Sequence, residues 1–209
     1  MQLSGFYNMD CLIGMKEIPD KYFELAIVDP PYGINAGKMT MGSGKHKFKK
    51  DKSWDEQIPS DEYFKELFRI SQNQIIWGGN YFTNSLLPTK HWIVWDKLNP
   101  NLSFAEGELA WVNIGNLVRI FKYYSAQVEN GGKIHPTQKP VALYKWLLSN
   151  YAKPGDKILD THVGSASSLI ACYDLGFEYL GFELDADYYK MATERLDKHK
   201  SQLNLLLDF

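Results

Sequence analysis

The chain has 209 residues, of which 44% are hydrophobic and 14% aromatic, and its formal net charge is −2 at neutral pH. A chain of this length can bury one sizeable core, so we expect a single domain over residues 1–209. The small negative charge argues against a protein that wraps nucleic acid by bulk positive charge alone. Any nucleic-acid contact must therefore come from a local basic patch.

Cysteine content and hydropathy limit the cellular compartments and the partners that we expect for this protein. Cys11 and Cys172 are too few for a disulfide framework, and neither has a metal-ligand partner at a useful spacing. No signal peptide or long apolar span is present. We therefore expect a cytoplasmic protein with no membrane partner and no metal.

The first informative element is an apolar run, Phe23–Val28, which predicts a buried strand that enters the turn Asp29-Pro30-Pro31-Tyr32. Two successive prolines fix φ at about −65° and supply no N–H, so the turn is stiff and its carbonyls point outward. A carboxylate and a carbonyl can accept both hydrogens of an amino group, while a tyrosine ring can stack on a planar base. The turn predicts a site for the amino group of a nucleic-acid base. If the substrate is a duplex, that base must be flipped out of the helix. An ordinary strand-to-loop turn is the alternative.

A basic segment follows this turn directly. Its lysines are interleaved with glycine and opposed only by Asp51. A charge run is usually a solvated loop, but lysines placed here can hold phosphates on either side of a flipped base. We predict DNA contacts by Lys38, Lys45, Lys47, Lys49, Lys50 and Lys52.

The middle of the chain predicts alternating helices and strands. Ser60 and Asp61 precede an apolar pattern typical of a capped helix. Helices are also predicted at Val141–Tyr151 and 187–199. Four runs rich in β-branched and aromatic residues predict strands, most of them buried on both faces: 74–77, 91–95, 109–112 and 117–121. This alternation predicts an α/β fold with a mostly parallel sheet and a ligand at the carboxyl ends of the strands.

A second strand–turn–helix unit lies near the end of the chain. The strand Lys157–Asp160 leads into a turn of small residues at 161–168, and a further strand ends at Glu183. An acid in this position of a Rossmann-like unit binds ribose hydroxyls, and the small-residue turn lets a ligand approach the backbone. Plain packing of a βαβ unit is the alternative for the turn alone.

Taken together, these blocks resemble the S-adenosylmethionine-dependent DNA amino-methyltransferases of the permuted β group, in which the catalytic motif precedes the cofactor motif. Residues 29–32 match the catalytic motif in its adenine-N6 form, since cytosine-N4 enzymes usually carry Ser in place of Asp. Residues 135–140 match the block beside the methionine part of the cofactor. Residues 160–168 match the cofactor loop, and Glu183 matches the ribose-binding acid. Residues 8–11 resemble the segment that places an acid near the cofactor adenine.

The resemblance implies a Rossmann-like methyltransferase fold with helices on both faces of a mostly parallel sheet. It implies S-adenosylmethionine as cofactor, double-stranded DNA as substrate, DNA methylation of the restriction-modification kind, and a homodimer. The catalytic residues would be Asp29, Pro30, Pro31 and Tyr32. The cofactor-binding residues would be Asp10, Cys11, Asp29, His135, Thr137, Lys139, Asp160, His162, Gly164, Ser165, Glu183 and Leu184, with Thr137 and Lys139 near the carboxylate of the cofactor.

The chain also departs from the family pattern. The cofactor loop has Thr161 and His162 in place of Pro-Phe, and Ala166 in place of a second glycine, where a positive φ would be costly. Only ten residues, 125–134, separate the last predicted strand region from the block at 135–140, which leaves no room for a target-recognition insert. Sequence choice would then depend on loops 33–58 and 97–106 or on a second subunit.

Several functions remain open from the sequence. The leading hypothesis is a site-specific adenine-N6 methyltransferase of DNA. A cytosine-N4 enzyme on the same fold, a methyltransferase of RNA or of a protein glutamine amide, and a non-catalytic DNA-binding relative are the alternatives.

Overall fold

The computed structural model describes residues 1–36, 54–99, 105–124 and 133–207, with side chains up to residue 202. The lysines predicted to contact DNA, at 38, 45, 47, 49, 50 and 52, lie outside these described residues. The elements in chain order are β1 (Gly5–Asn8), α1 (Cys11–Lys16), β2 (Phe23–Val28), α2 (Asp61–Ile70), β3 (Ser71–Trp77), a 3-10 turn (Gly79–Tyr81), β4 (His91–Asp96), β5 (Gly107–Val112), β6 (Arg119–Lys122), α3 (Val141–Tyr151), β7 (Lys157–Asp160), α4 (Ser167–Leu175), β8 (Glu178–Glu183) and α5 (Ala186–Leu207).

The eight strands form one sheet in the order β1-β8-β7-β2-β3-β5-β4-β6. All neighbouring pairs are parallel except the two that involve β5, which runs antiparallel to β3 and β4. The prediction of a mostly parallel sheet is confirmed. Because β2, β7 and β8 are adjacent and parallel, their carboxyl ends bring Asp29, Asp160 and Glu183 to one edge. The reversed β5 adds its first residues to that same edge.

Helices cover both faces of the sheet, as predicted. Alternate residues of β2 divide between two cores: Ala26 and Val28 pack with α1 and α2, whereas Leu25 and Ile27 pack with α3 and α4. A parallel strand covered on both faces must be apolar throughout, and β2 is buried along nearly its whole length. The site that follows β2 therefore rests on a rigid, fully packed strand.

The burial of the predicted strands varies with their place in the sheet. β3 and the end of β5 are buried, β4 alternates between buried and half-buried residues, and β6 is mostly exposed. β6 is the exception to the expected burial, because this strand lies at the sheet edge and, among the described strands, pairs with β4 alone. Composition predicted the strand correctly but did not reveal its position.

Local signals set several helix ends. The side chain of Ser60 accepts a hydrogen bond from Tyr63 N at 3.3 Å, so the predicted cap of α2 is confirmed. α5 begins one residue before the predicted helix and extends beyond it to Leu207. Within the described residues, no helix is long and apolar enough to cross a bilayer.

Candidate active site

A cavity of ≈ 500 Å³ opens at the carboxyl edge of the sheet. This volume lies in the range of small-molecule sites. Most of the residues predicted to bind a cofactor line it: Asp10, Cys11, Asp29, His135, Thr137, Lys139, His162, Gly164, Ser165, Glu183 and Leu184. Three other predicted residues, Pro30, Tyr32 and Asp160, are not part of this wall. The sequence blocks therefore meet around one cavity.

Asp160 lies behind the wall and braces the loop that follows β7. One of its carboxylate oxygens accepts a hydrogen bond from His162 N at 3.0 Å, and the other accepts one from Ser168 Oγ at 2.5 Å. The residue is 2% exposed, and burial raises the pKa of its carboxyl group to about 7. Its bonds hold the shape of the loop that lines the cavity.

Glu183, at the end of β8, presents a carboxylate to the cavity. Its two oxygens accept hydrogen bonds from Gly164 N at 2.8 Å and Asp185 N at 2.9 Å. Burial raises the pKa of this carboxyl group, while the two N–H donors oppose the rise. A carboxylate has about four acceptor positions. Glu183 can therefore accept two further hydroxyl donors from a ligand.

The loop between β7 and α4 carries the predicted backbone strain. Ala166 has φ 62°, in the left-handed region, and it caps α4 without a side-chain hydrogen bond. A residue with a Cβ costs roughly 1–2 kcal/mol in this conformation. The methyl group of Ala166 is fully buried against α4 and α5, which offsets part of this cost. A positive φ without glycine, named above as costly, is present at this position.

His162, which replaces a family phenylalanine, belongs to a buried hydrogen-bonded chain. Tyr63 Oη lies 2.7 Å from Thr161 Oγ1, which in turn lies 2.9 Å from His162 Nδ1. The other ring nitrogen is 4.0 Å from Cys11 Sγ. Burial lowers the pKa of His162 to about 4 and raises that of the Cys11 thiol to about 12. Both groups are therefore neutral near pH 7 and add no charge to this part of the wall.

Asp29 is the centre of a buried charge network. Tyr32 Oη donates to one of its carboxylate oxygens at 2.5 Å, and Lys139 Nζ donates to the other at 2.5 Å. The same ammonium group lies 2.9 Å from Glu108 Oε2, and Lys97 Nζ lies 2.6 Å from Glu108 Oε1. Carboxylates and ammonium groups thus alternate from Asp29 to Lys97.

This alternation controls the charge of each group. Burial raises the pKa of Asp29, and the adjacent ammonium group of Lys139 opposes that rise. Burial also opposes ionisation of Glu108, but Lys139 and Lys97 outweigh it and lower its pKa to about 2. For Lys139, burial disfavours the charged form, yet the two carboxylates outweigh burial and raise the pKa. Lys139 is therefore the cation that favours the ionised form of the buried Asp29 carboxyl group, against the effect of burial.

Tyr32 is held from several directions. Its ring stacks on that of Tyr81, with centroids 5.0 Å apart and an interplanar angle of 14°. Gly78 has φ 70°, and a Cβ there would lie 2.2 Å from the Tyr32 ring, so only glycine fits. The backbone N–H of Tyr32 donates to Asp55 Oδ1 at 2.6 Å. One face of the ring is thus covered by Tyr81, and its hydroxyl group is directed at Asp29.

The block at 135–140 contributes an aromatic corner. The ring of His135 lies 4.3 Å from that of Tyr188 and 5.1 Å from that of Trp54, measured between centroids. Thr137 Oγ1 is 3.1 Å from His135 Nδ1. The Nε1 atom of Trp54 is buried and has no hydrogen-bond acceptor within the described part of the chain. Trp54 also lines the cavity.

Sequence reasoning missed several residues of this site. Glu108 comes from the start of β5 and reaches this edge because β5 is reversed, whereas Lys97 directly follows the carboxyl end of β4. Asp55 and Tyr144 carried no recognised motif. Lys139 was expected near the carboxylate of the cofactor; it lines the cavity, and its ammonium group lies between Asp29 and Glu108.

Comparisons with known proteins place this site in a family. A family model described as DNA methylase, of the N6/N4 methyltransferase type, matches residues 76–194, which is more than half of the chain. The chain therefore belongs to the N6/N4 DNA methylase family, whose members are DNA methyltransferases.

Curated relatives agree with this assignment. The chain is 27% identical over 254 aligned positions to the type II methyltransferase M.HinfI of Haemophilus influenzae, and the match covers 97% of this chain and 70% of that protein. A shorter match, 42% identical over 65 residues, links it to the type II methyltransferase M.HpaI of Haemophilus parainfluenzae and covers 31% of this chain and 21% of that protein. Both relatives are type II methyltransferases by name.

Solved structures share the fold. The M1.HpyAVI–SAM complex superposes with a TM-score of 0.61 at 19% identity and covers 91% of this chain and 98% of that one. TTHA0409 of Thermus thermophilus, also complexed with S-adenosyl-L-methionine, gives 0.60 at 16% identity, with 94% of each chain covered. The cytosine-N4-specific PvuII DNA methyltransferase gives 0.63 at 12% identity, with 98% and 92% covered. The likeness confirms the Rossmann-like methyltransferase fold.

Proposed function

We propose that this chain is a single-domain DNA adenine-N6 methyltransferase that uses S-adenosylmethionine. The observation that carries the proposal is the position of Asp29, whose carboxyl group lies at the cavity wall 2.5 Å from the ammonium group of Lys139. Its two oxygens already accept one bond each, from Tyr32 and Lys139, and a carboxylate has room for more donors. An exocyclic amine is such a donor.

The cavity fits the proposed cofactor. The Glu183 carboxylate has acceptor positions left for ribose hydroxyls. Asp10 caps α1 through Leu12 N and lines the same wall, beside Cys11. We assign the ribose to Glu183 and the amino-acid part to the corner of His135. When bound there, S-adenosylmethionine supplies an electrophilic methyl group.

The protein groups act mainly by orientation and charge. Asp29 accepts a hydrogen bond from the target amine, aims its lone pair, and stabilises the positive charge that develops on nitrogen. The ammonium group of Lys139 favours the ionised form of Asp29, which this role requires. Tyr32 supplies a ring edge and a hydroxyl that fix Asp29 from the other side. The reaction forms an N–C bond and breaks the S–C bond, and one proton leaves the amine.

DNA is the proposed partner because the family is a family of DNA methylases. The target base must leave the duplex to reach Asp29. The lysines at 38, 45, 47, 49, 50 and 52 remain the proposed phosphate contacts. A homodimer remains a proposal from the resemblance.

The test is transfer of a labelled methyl group from S-adenosylmethionine to unmethylated genomic DNA, followed by nucleoside analysis. N6-methyladenine is the expected product, and N4-methylcytosine would instead assign the chain to the cytosine branch of the family. Asp29→Ala should abolish transfer and leave cofactor binding nearly intact. Asp197→Ala, at an exposed position of α5, is the matched control and should transfer normally. Cofactor binding without any transfer to DNA by the wild type would contradict the proposal.

A further inference from the structure

A second carboxylate lies close to the catalytic turn and has no place in the transfer chemistry. Asp55 is 2% exposed, and its side chain accepts three backbone hydrogen bonds. Oδ1 accepts from Tyr32 N at 2.6 Å and from Gly33 N at 3.0 Å, and Oδ2 accepts from Ala36 N at 2.8 Å. Its own carbonyl accepts from Asn35 N at 2.9 Å. All four hydrogen bonds lead to the segment that follows the two prolines.

The backbone of that segment is shaped to receive an anion. Gly33 and Asn35 both have positive φ, 71° and 59°. Alternation of left-handed and ordinary residues turns successive N–H groups toward one point, which makes a concave anion site. In this chain the anion is the carboxylate of Asp55, supplied by the protein itself. Without it, the N–H groups of Tyr32 and Ala36 would lose their acceptors.

We propose that Asp55 is a positioning residue for methyl transfer, acting on Asp29 through Tyr32. The path is short: Asp55 holds Tyr32 N, and Tyr32 Oη donates to Asp29 Oδ1. The carboxylate thus sets the backbone from which the Tyr32 ring projects, and the ring sets one side of Asp29. The proposal rests on the proposed function and adds a residue to it.

The effect of Asp55 is expected at the base side of the site rather than at the cofactor side. Its side-chain bonds lead to residues 32–36, whereas the bonds of Glu183 lead to Gly164 and Asp185. We call the three side-chain hydrogen bonds of Asp55 the clamp. Loss of the clamp therefore releases Tyr32 and leaves the cofactor loop unchanged. A misplacement of about 1 Å in a catalytic group can cost about 100-fold in rate.

The substitution that tests the clamp is Asp55→Asn. An asparagine oxygen can still accept from Tyr32 and Gly33, but its NH₂ group faces the N–H of Ala36, donor against donor. We expect kcat for methyl transfer to fall by about 10- to 100-fold. The Kd for S-adenosylmethionine, measured by calorimetry, should change by less than roughly threefold. Loss of cofactor binding together with transfer would overturn the proposal, because Asp55 would then support the fold in general.

Two matched variants sharpen the test. Asp160→Asn makes the same change at another buried aspartate that accepts a backbone N–H, but in the cofactor loop. Asp160→Asn should weaken cofactor binding, whereas Asp55→Asn should lower kcat and leave cofactor binding nearly unchanged. Asp156→Asn alters a half-buried aspartate that accepts from Lys153 N in a remote turn, and it should leave both kcat and KM unchanged.

A double-mutant cycle with Tyr32→Phe tests the path through the tyrosine. If Asp55 acts on Asp29 through Tyr32, the double variant should lose little more activity than the more damaged single variant. If the activity loss of the double variant equals the product of the two single losses, the proposed path is overturned. The wild type separates the two proposals: no transfer to DNA contradicts the proposed function, whereas normal transfer by both the wild type and Asp55→Asn contradicts the clamp alone.

Discussion

Lys139 offers the sharpest test of the buried charge network. Lys139→Met keeps an unbranched apolar stem but removes the ammonium group that pairs with Asp29 at 2.5 Å and with Glu108 at 2.9 Å. The side chain of Lys139 is only 2% exposed, so water cannot replace the lost charge without rearrangement. Glu108 keeps Lys97 as a partner, and the loss therefore falls mainly on Asp29.

The stability lost in Lys139→Met can be estimated from Coulomb's law and the cost of desolvation. At an effective dielectric constant of about 20, unit charges 2.9 Å apart attract by roughly 6 kcal/mol. Much of this gross attraction is offset because the ammonium group was removed from water. Breaking a buried ion pair by removing one partner costs about 3–5 kcal/mol. We expect the free energy of unfolding to fall by that amount near pH 8, measured by urea denaturation.

The stability lost in Lys139→Met should increase as the pH rises. Burial already raises the pKa of Asp29 against the opposing pull of Lys139, and removal of Lys139 raises it further. A carboxyl group whose pKa is higher in the folded state binds more protons when folded, so its effect on stability worsens as pH rises through that pKa. Lys139→Met should therefore lose less stability near pH 5 than near pH 8.

Two controls bound this result. Lys145→Met removes an ion pair with Asp174 from a side chain that is 42% exposed, and it should cost at most about 1 kcal/mol. Lys139→Met combined with Asp29→Asn should recover part of the lost stability, since the buried carboxylate that loses its cation is removed. An equal loss at both pH values, or a loss below about 1 kcal/mol near pH 8, would refute the role assigned to Lys139.

Three further predictions concern the cofactor loop and Glu183 beside it. Ala166→Gly should change stability by less than about 1 kcal/mol in thermal denaturation, because relief of the left-handed backbone is offset by glycine entropy and a lost buried methyl group. Glu183→Gln should weaken S-adenosylmethionine binding by roughly 10-fold or more in calorimetry, since hydrogen bonds to a charged group contribute about 1.5–3 kcal/mol; unchanged affinity would exclude the ribose role. The His162 ring should show neutral-form NMR shifts from about pH 6 to 8, because its pKa is lowered to about 4; titration in that range would contradict its burial.

The acids at the ends of β2, β7 and β8 were determined by the sequence alone. Asp29, Asp160 and Glu183 each follow a short apolar run, and parallel strands necessarily bring their carboxyl ends to one edge. The sequence also marked position 166 as one where a positive φ would be costly, because Ala166 replaces a glycine of the family pattern. These features depend on local patterns, which a sequence carries without knowledge of the fold. The lysine contacts with DNA stay a prediction.

The partners of those acids were decided by the tertiary structure. Glu108 reaches Lys139 only because β5 runs antiparallel within an otherwise parallel sheet. Asp55 meets Tyr32 because the chain returns to the turn 23 residues later, and no periodicity marks that return. The exposure of β6 depends on its place at the sheet edge. The charge of a buried carboxylate is set by whatever the fold places within a few ångströms of it, and sequence patterns do not contain those distances.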